Sequence, residues 1–161
     1  MNETINSTQV QSSEDSTVVI LLKAVLGAVV GAIPGMILWA VLSKIGIVAA
    51  LAGFLMFMGQ LIACDRFTQK SKQMNIPVAL IICAVVFLGD IYLCERFVWA
   101  WEISSAFAEN GLEASVFSCF CDFGAFTELT GVQEQFTHSL VTSYLYAILG
   151  AAAGAAKLFK R

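Results

Sequence analysis

Residues 24–35 read Ala-Val-Leu-Gly-Ala-Val-Val-Gly-Ala-Ile-Pro-Gly. Glycines recur every four residues at Gly27, Gly31 and Gly35, and alanines recur beside them with the same spacing. Residues four apart lie on nearly the same face of a helix, so the stretch predicts a helix with a stripe of very small side chains. Helices in lipid pack closely through such stripes, because the surrounding lipid is already apolar. The stretch therefore predicts a membrane helix carrying a glycine zipper.

The composition of the whole chain agrees with a membrane protein. Of its 161 residues, 58% are hydrophobic and 13% are charged, whereas soluble domains are about 45–50% apolar and about 25% charged. The apolar residues fall in four runs, and about 20 residues are needed for a helix to cross the hydrocarbon core. We predict an all-α membrane protein with four transmembrane helices, at 18–43, 45–64, 76–99 and 139–159.

These spans form a single membrane domain over residues 18–161, after a polar tail at 1–17 that we expect to be disordered. Between the third and fourth spans lies an amphipathic segment at 102–138, which carries six carboxylates and many phenylalanines but no Lys or Arg. Within this segment, residues 112–123 predict a short amphipathic helix.

Two local motifs bound the helices near this segment. Asn110-Gly111 predicts a turn. Thr130 and Gln133 have the spacing of a capping box, which predicts that the last helix starts near Gly131.

The positive charges predict the orientation of the chain. With four spans, seven of the nine Lys and Arg residues lie on the side of the two termini, and only Lys44 and Arg96 lie on the other side. Cytoplasmic loops carry an excess of Lys and Arg. We therefore expect a multi-pass protein of the cell membrane with cytoplasmic termini and an extracytoplasmic segment at 102–138.

The glycine stripe needs a packing partner. The short break at Lys44 predicts that the first two helices form an antiparallel pair, in which Gly46 and Gly53 face the stripe. Gly150 and Gly154 form a second small-residue stripe in the fourth span. Packing within one chain is the favoured interpretation, and dimerisation through the stripe is the alternative.

A few polar groups lie in or near the apolar runs. Charged groups at membrane depth are costly and commonly face a bundle interior, a cavity or a partner. One hypothesis is that Asp90 and Glu95 form a cation or proton site. The other is that Asp90 forms a structural ion pair, with Lys44 or with Arg96 of a neighbouring subunit, or reaches interfacial water. Gln60 is the one strongly polar residue of the second span and is expected to hydrogen-bond across helices.

The sequence shows no enzymatic constellation. It has one histidine, and Cys119 and Cys121 are too closely spaced for a zinc knuckle. The glycines lie in membrane runs, not in a phosphate-binding loop. No basic patch indicates nucleic-acid binding. We therefore expect no catalytic residue, no metal and no cofactor.

The order of these motifs resembles that of a family of uncharacterised small membrane proteins of low-GC Gram-positive bacteria. The residues that carry the resemblance are the glycine stripe through Trp39, then 46–54, then 92–101 and the acidic segment before the Gly/Ala-rich last span. The resemblance implies four helices in a bacterial cell membrane. It carries no activity over to any residue.

Two functional hypotheses follow. The first is a non-catalytic membrane component that resides in the lipid bilayer and associates with itself as a homo-oligomer or with a larger membrane complex. The second is a small transporter or channel that uses Asp90 and Glu95 in a cation or proton pathway.

Overall fold

The computed structural model describes residues 17–45, 50–68 and 76–159, with side chains described except at 43–45, at 76 and from 153 onward. Throughout these ranges the regular structure is helical. The helices are α1 (Thr17–Ile45), α2 (Ala50–Thr68), α3 (Ile76–Glu109), α4 (Val116–Cys121), α5 (Phe123–Thr130) and α6 (Gln133–Phe159). Thr17 belongs to α1, and the rest of the predicted tail lies outside the described residues, as does Gly46.

Three of these helices are long and apolar enough to cross a membrane, over Thr17–Leu42, Ala50–Thr68 and Pro77–Glu109. In each, only 28% of the most apolar window is buried inside the protein, so most of the apolar side chains face outward. A soluble protein rarely exposes apolar surface on this scale, whereas lipid accommodates it. The fold is therefore that of an all-helical membrane protein, and the fourth span stays a prediction.

The glycine stripe of α1 packs against α2 within the same chain. A Cβ atom added at Gly31 would overlap the backbone of Gly59, and one added at Gly59 would overlap Gly31. The partners run in opposite senses along the two helices, so α1 and α2 are antiparallel. The stripe contacts pair Gly27 with Ala63, Gly31 with Gly59 and Gly35 with Met56.

The prediction that Gly53 faces this stripe is wrong. A Cβ atom at Gly53 would lie 2.7 Å from the Cα atom of Ala147 in α6. The stripe meets the second half of α2 instead, because the antiparallel pairing places Gly59 opposite Gly31. Gly53 and Gly59 differ by six residues, which places them on different faces of α2.

The small residues of α2 and α6 meet at a second close contact. Gly53 lies against Ala147, and a Cβ atom at Gly150 would overlap the carbonyl oxygen of Ala50. These contacts lie within about one turn of each helix and mark the point where α2 and α6 cross. Gly154 lies beyond the described side chains.

Helix α3 is ten residues longer than predicted and ends at Glu109. Its 34 residues measure about 51 Å at about 1.5 Å per residue, which exceeds a hydrocarbon core of about 30 Å. The extension is stabilised because Ala100 and Ile103 are buried against Cys119 and Phe123. It ends at the predicted Asn110-Gly111 turn, where Gly111 adopts a φ of 72° that favours glycine.

Residues 110–132, which we call the cap, fold onto this extension. Two helices, α4 and α5, replace the single helix predicted at 112–123. The Ser115 hydroxyl accepts a hydrogen bond from the backbone N–H of Ser118 at 3.1 Å and caps α4. Aromatic pairs fasten the cap to the long helices, with ring centroids 5.7 Å apart for Phe107 and Phe126.

The predicted capping box is wrong. Thr130 belongs to α5, and its hydroxyl donates backward to the carbonyl of Phe126 at 2.7 Å. Gly131 terminates α5 in the left-handed region, with a φ of 70°, where glycine is favoured as a helix C-cap. Gly131 therefore marks the end of α5 and not the start of the last helix, and α6 starts at Gln133.

Candidate functional site

The buried carboxylate of Glu95 lies where α1, α3 and α6 meet. Its Oε1 atom accepts hydrogen bonds from the Trp39 indole N–H at 3.2 Å and from the Ser143 hydroxyl at 2.7 Å. Its Oε2 atom accepts one from the Ser139 hydroxyl at 2.9 Å. We call these four residues the Glu95 node. Glu95 is 5% exposed, so its oxygens are bonded by protein donors and hardly reach the surroundings.

The local sequence explains how the node forms. Ser139 and Ser143 are four residues apart, so both hydroxyls lie on one face of α6 and reach one carboxylate. Trp39 follows the glycine stripe, whose close approach to α2 brings the indole into the core. Trp39 is 1% exposed and packs with Met56 and Ile91.

Trp39 lies near the end of the first predicted span, a position typical of an interfacial aromatic, but its side chain is buried instead. A buried indole N–H needs an acceptor, and the carboxylate of Glu95 supplies it. Among the aromatic residues in the second half of α3, Tyr92 and Trp101 are partly exposed, and Trp99 packs edge-on against Phe136.

Asp90 forms a second buried polar contact. The Gln60 amide of α2 donates from Nε2 to Oδ2 of Asp90 at 2.6 Å, and we call the two residues the Asp90 pair. Gln60 is fully buried and Asp90 is 4% exposed. Gln60 thus bonds across helices, as its sequence context indicated. Its other atom, Oε1, is buried and has no hydrogen-bond partner within the part of the chain that the structure describes.

The structure does not bring Asp90 and Glu95 into one site. They are five residues apart on α3, which turns their side chains to different faces. Asp90 points to α2, and Glu95 points to α1 and α6. A shared Asp90–Glu95 cation site is therefore not formed within one chain.

Arg96 binds the cap and not Asp90. Its Nε atom donates to the carbonyl of Phe120 at 2.9 Å, and its guanidinium also donates to the carbonyl of Cys121 at 3.1 Å. The guanidinium carbon lies 4.8 Å from the centroid of the Phe120 ring, a cation–π contact. Arg96 therefore joins α3 to the end of α4. The side chain of Lys44 lies outside the described side chains.

A polar groove runs along α6 beside the Glu95 node. Its volume is about 570 Å³ and it is open to the surroundings. Ser139 and Ser143 line it and also donate to Glu95, so their hydroxyls lie between the groove and the carboxylate. The groove is lined by Glu134, Gln135, His138, Ser139, Thr142 and Ser143.

The two serines are the functional residues that the sequence analysis missed. They lie at the start of the fourth predicted span, where they read as the polar end of an apolar run. Two hydroxyls four residues apart can bond one buried carboxylate, and a carboxylate at membrane depth such as Glu95 needs such donors. This spacing is the feature of the sequence that could have identified the two serines.

The cysteines of the described chain are all free. In the cap, Cys119 is buried and Cys121 is exposed, and burial raises the pKa of the Cys119 thiol. Over the described residues, no group of three or more His, Cys, Asp or Glu side chains could hold a metal ion.

Comparison with family models, curated proteins and solved structures gives no match. The fold and the two buried polar contacts therefore define the protein by class, as an all-helical membrane protein with carboxylates buried between its helices.

Proposed function

We propose that this protein is a non-catalytic membrane component, a tightly packed helical bundle that holds the cap at the membrane for association with itself or with a larger membrane complex. The observation that carries the proposal is the hydrogen bonding of Glu95 by three protein donors. Both of its oxygens accept hydrogen bonds from protein side chains on α1 and α6.

These three hydrogen bonds support a structural role for Glu95. A carboxylate at membrane depth is costly unless it is paired or hydrogen-bonded. A transport site has to exchange its ligand, so its carboxylate needs coordination positions that open to a cation. Donors from two other helices occupy those positions around Glu95, and each bond also fixes the position of one helix relative to α3.

The cap is the part of the protein most available to a partner. Its surface and the adjoining helix ends carry exposed carboxylates, and Phe117 and Leu129 are 77% and 75% exposed. No Lys or Arg lies between Arg96 and Lys157. A partner with a basic and partly apolar surface fits this chemistry. The exposed carboxylates are Glu102, Glu109, Glu113, Asp122, Glu128 and Glu134.

Cross-linking through Cys121 tests this proposal. Cys121 is exposed, whereas Cys119 is buried with a raised thiol pKa, so a membrane-impermeant maleimide cross-linker applied to intact cells should react at Cys121. We expect defined cross-linked species of constant mass, identified by mass spectrometry as this chain or as fixed partners. Cys121→Ser is the matched control and should abolish them. Labelling of Cys121 only after the membrane is opened would contradict the outward position of the cap, and labelling without any defined species would contradict association through it.

A second candidate function is a cation or proton pathway. Two observations favour it: the polar groove beside the Glu95 node and the unpartnered Oε1 atom of Gln60 in the Asp90 pair. A water or cation at Gln60 would satisfy that oxygen, since buried polar atoms generally have a partner.

Solvent access at Asp90 separates the two functions. In a background without the native cysteines, Asp90→Cys is treated with a small charged thiol reagent, with Glu113→Cys at an exposed position of the cap as the reactive control. If the bundle is closed, Glu113→Cys reacts and Asp90→Cys does not, and Asp90→Asn leaves ion flux in proteoliposomes unchanged. Rapid labelling of Asp90→Cys together with a reduced flux for Asp90→Asn would favour the pathway.

A further inference from the structure

Two thiols meet between α2 and α3, away from both buried carboxylates. Cys64 is 1% exposed and Cys83 is fully buried. Both belong to one apolar cluster with Ala24 and Ala28 of α1. Two thiols on neighbouring helices therefore lie in one buried cluster.

A small cavity opens next to this thiol pair. Its volume is about 200 Å³, enough for several water molecules at about 30 Å³ each. Cys64 and Cys83 line it together with Leu61, Ala79 and Leu80, and its polar side chains are Asp65 and Thr68. The Thr68 hydroxyl is occupied, since it donates to the carbonyl of Cys64 at 2.7 Å. A small cation could enter past the carboxylate of Asp65, which is exposed, and reach the sulfurs.

The donor set restricts what the cavity could bind. Calcium and magnesium need about six oxygen ligands, which this cavity does not supply. Structural zinc takes four ligands, and the described chain gathers no group of three. Soft thiolate ligands select copper(I). A soft monovalent ion of this kind can be bound by two sulfur ligands in a linear, two-coordinate geometry.

We propose that Cys64 and Cys83 form a two-coordinate site for a soft monovalent metal cation of the copper(I) type. Binding forms two metal–sulfur bonds and breaks two S–H bonds, and the two protons leave to solvent: two thiols and one M⁺ give an S–M–S⁻ unit and two H⁺. No oxidant or reductant is consumed. With metal–sulfur bonds as long as those of zinc, about 2.3 Å, a linear unit would place the two sulfurs about 4.6 Å apart.

Metal titration of the full-length protein in detergent micelles tests the site. Silver(I) serves as the redox-inert probe, and copper(I) is then titrated against a competing chelator. The experiment uses a Cys121→Ser background, which removes the exposed thiol. We expect one metal ion per chain, and loss of this binding in both Cys64→Ser and Cys83→Ser. Cys94→Ser, which removes a buried thiol of α3 outside the pair, is the matched control and should keep it.

The coordination of the bound ion provides a second measurement that needs no cysteine variant of the pair. X-ray absorption of the copper(I)-loaded protein should show two sulfur neighbours and no nitrogen or oxygen neighbour. Three or more ligands would overturn the proposal, as would binding that persists in Cys64→Ser. Absence of any binding at micromolar metal would also overturn the proposal. If diamide then formed a Cys64–Cys83 disulfide in the protein that binds no metal, the two thiols would be close together without forming a metal site.

Discussion

Replacing Gly31 with leucine is expected to disrupt the packing of α1 against α2 and to destabilise the folded monomer. Overpacking a core commonly costs about 1–3 kcal/mol when side chains can adjust. At Gly31 the nearest atoms belong to the backbone of Gly59, which cannot rotate away, so we expect a cost above that range. Reversible unfolding in mixed detergent micelles, followed by circular dichroism, measures the loss of unfolding free energy.

Gly89→Leu is the matched control for this substitution. Gly89 also lies in a long apolar helix, but no atom lies within 4 Å of a Cβ added there, so its replacement should change the unfolding free energy little. The cost of Gly31→Leu should also be independent of protein concentration, since the contact lies within one chain. A stable Gly31→Leu monomer that has only lost an oligomeric state would show that the stripe serves dimerisation.

Glu95→Ala is the second substitution with a large expected effect. It leaves the Trp39 N–H and the hydroxyls of Ser139 and Ser143 without their acceptor. An unsatisfied buried donor costs about 1–3 kcal/mol in soluble proteins, and interhelical bonds in membranes average about 0.6 kcal/mol. Together with the lost packing, we expect the unfolding free energy to fall by about 2–5 kcal/mol, measured by the same unfolding experiment.

Two further variants make this measurement specific to the node. Glu95→Gln keeps one acceptor oxygen and should lose less stability than Glu95→Ala. Glu102→Ala removes an exposed carboxylate of the same helix and should be close to neutral. Equal stability of Glu95→Ala and the wild type would show that the node contributes nothing to folding, and the structural role proposed for Glu95 would be lost with it.

The helices and the intramolecular use of the glycine stripe follow from local sequence properties. Apolar runs of about 20 residues predict membrane-spanning helices. The stripe of Gly27, Gly31 and Gly35 predicts close packing against another helix, although it does not say which helix. The partner itself depends on register, which is a tertiary property. Gly59 was overlooked because it stands alone among large side chains, whereas Gly53 stands among alanines.

The candidate site was harder to predict for the same reason. Asp90, Glu95 and Gln60 are conspicuous because polar residues are rare in apolar runs. Their partners come from residues 30 to 56 positions away in the chain, so no local pattern reveals them. The burial of Trp39 is not evident from the sequence, because a tryptophan near the end of an apolar run is typical of the membrane interface. Its burial follows from the tight α1–α2 contact that the glycines permit.

The connection between Trp39 and Glu95 also bears on how the protein is assembled during synthesis. The antiparallel contact of α1 and α2 uses only residues up to Phe67, so this hairpin can close before α3 has been made. The Trp39 N–H, however, has to wait for an acceptor that lies 56 residues further along the chain. The Gln60 amide of α2 likewise has to wait for Asp90. The hairpin is thus a folding unit in which both of these donors lack an acceptor until α3 arrives.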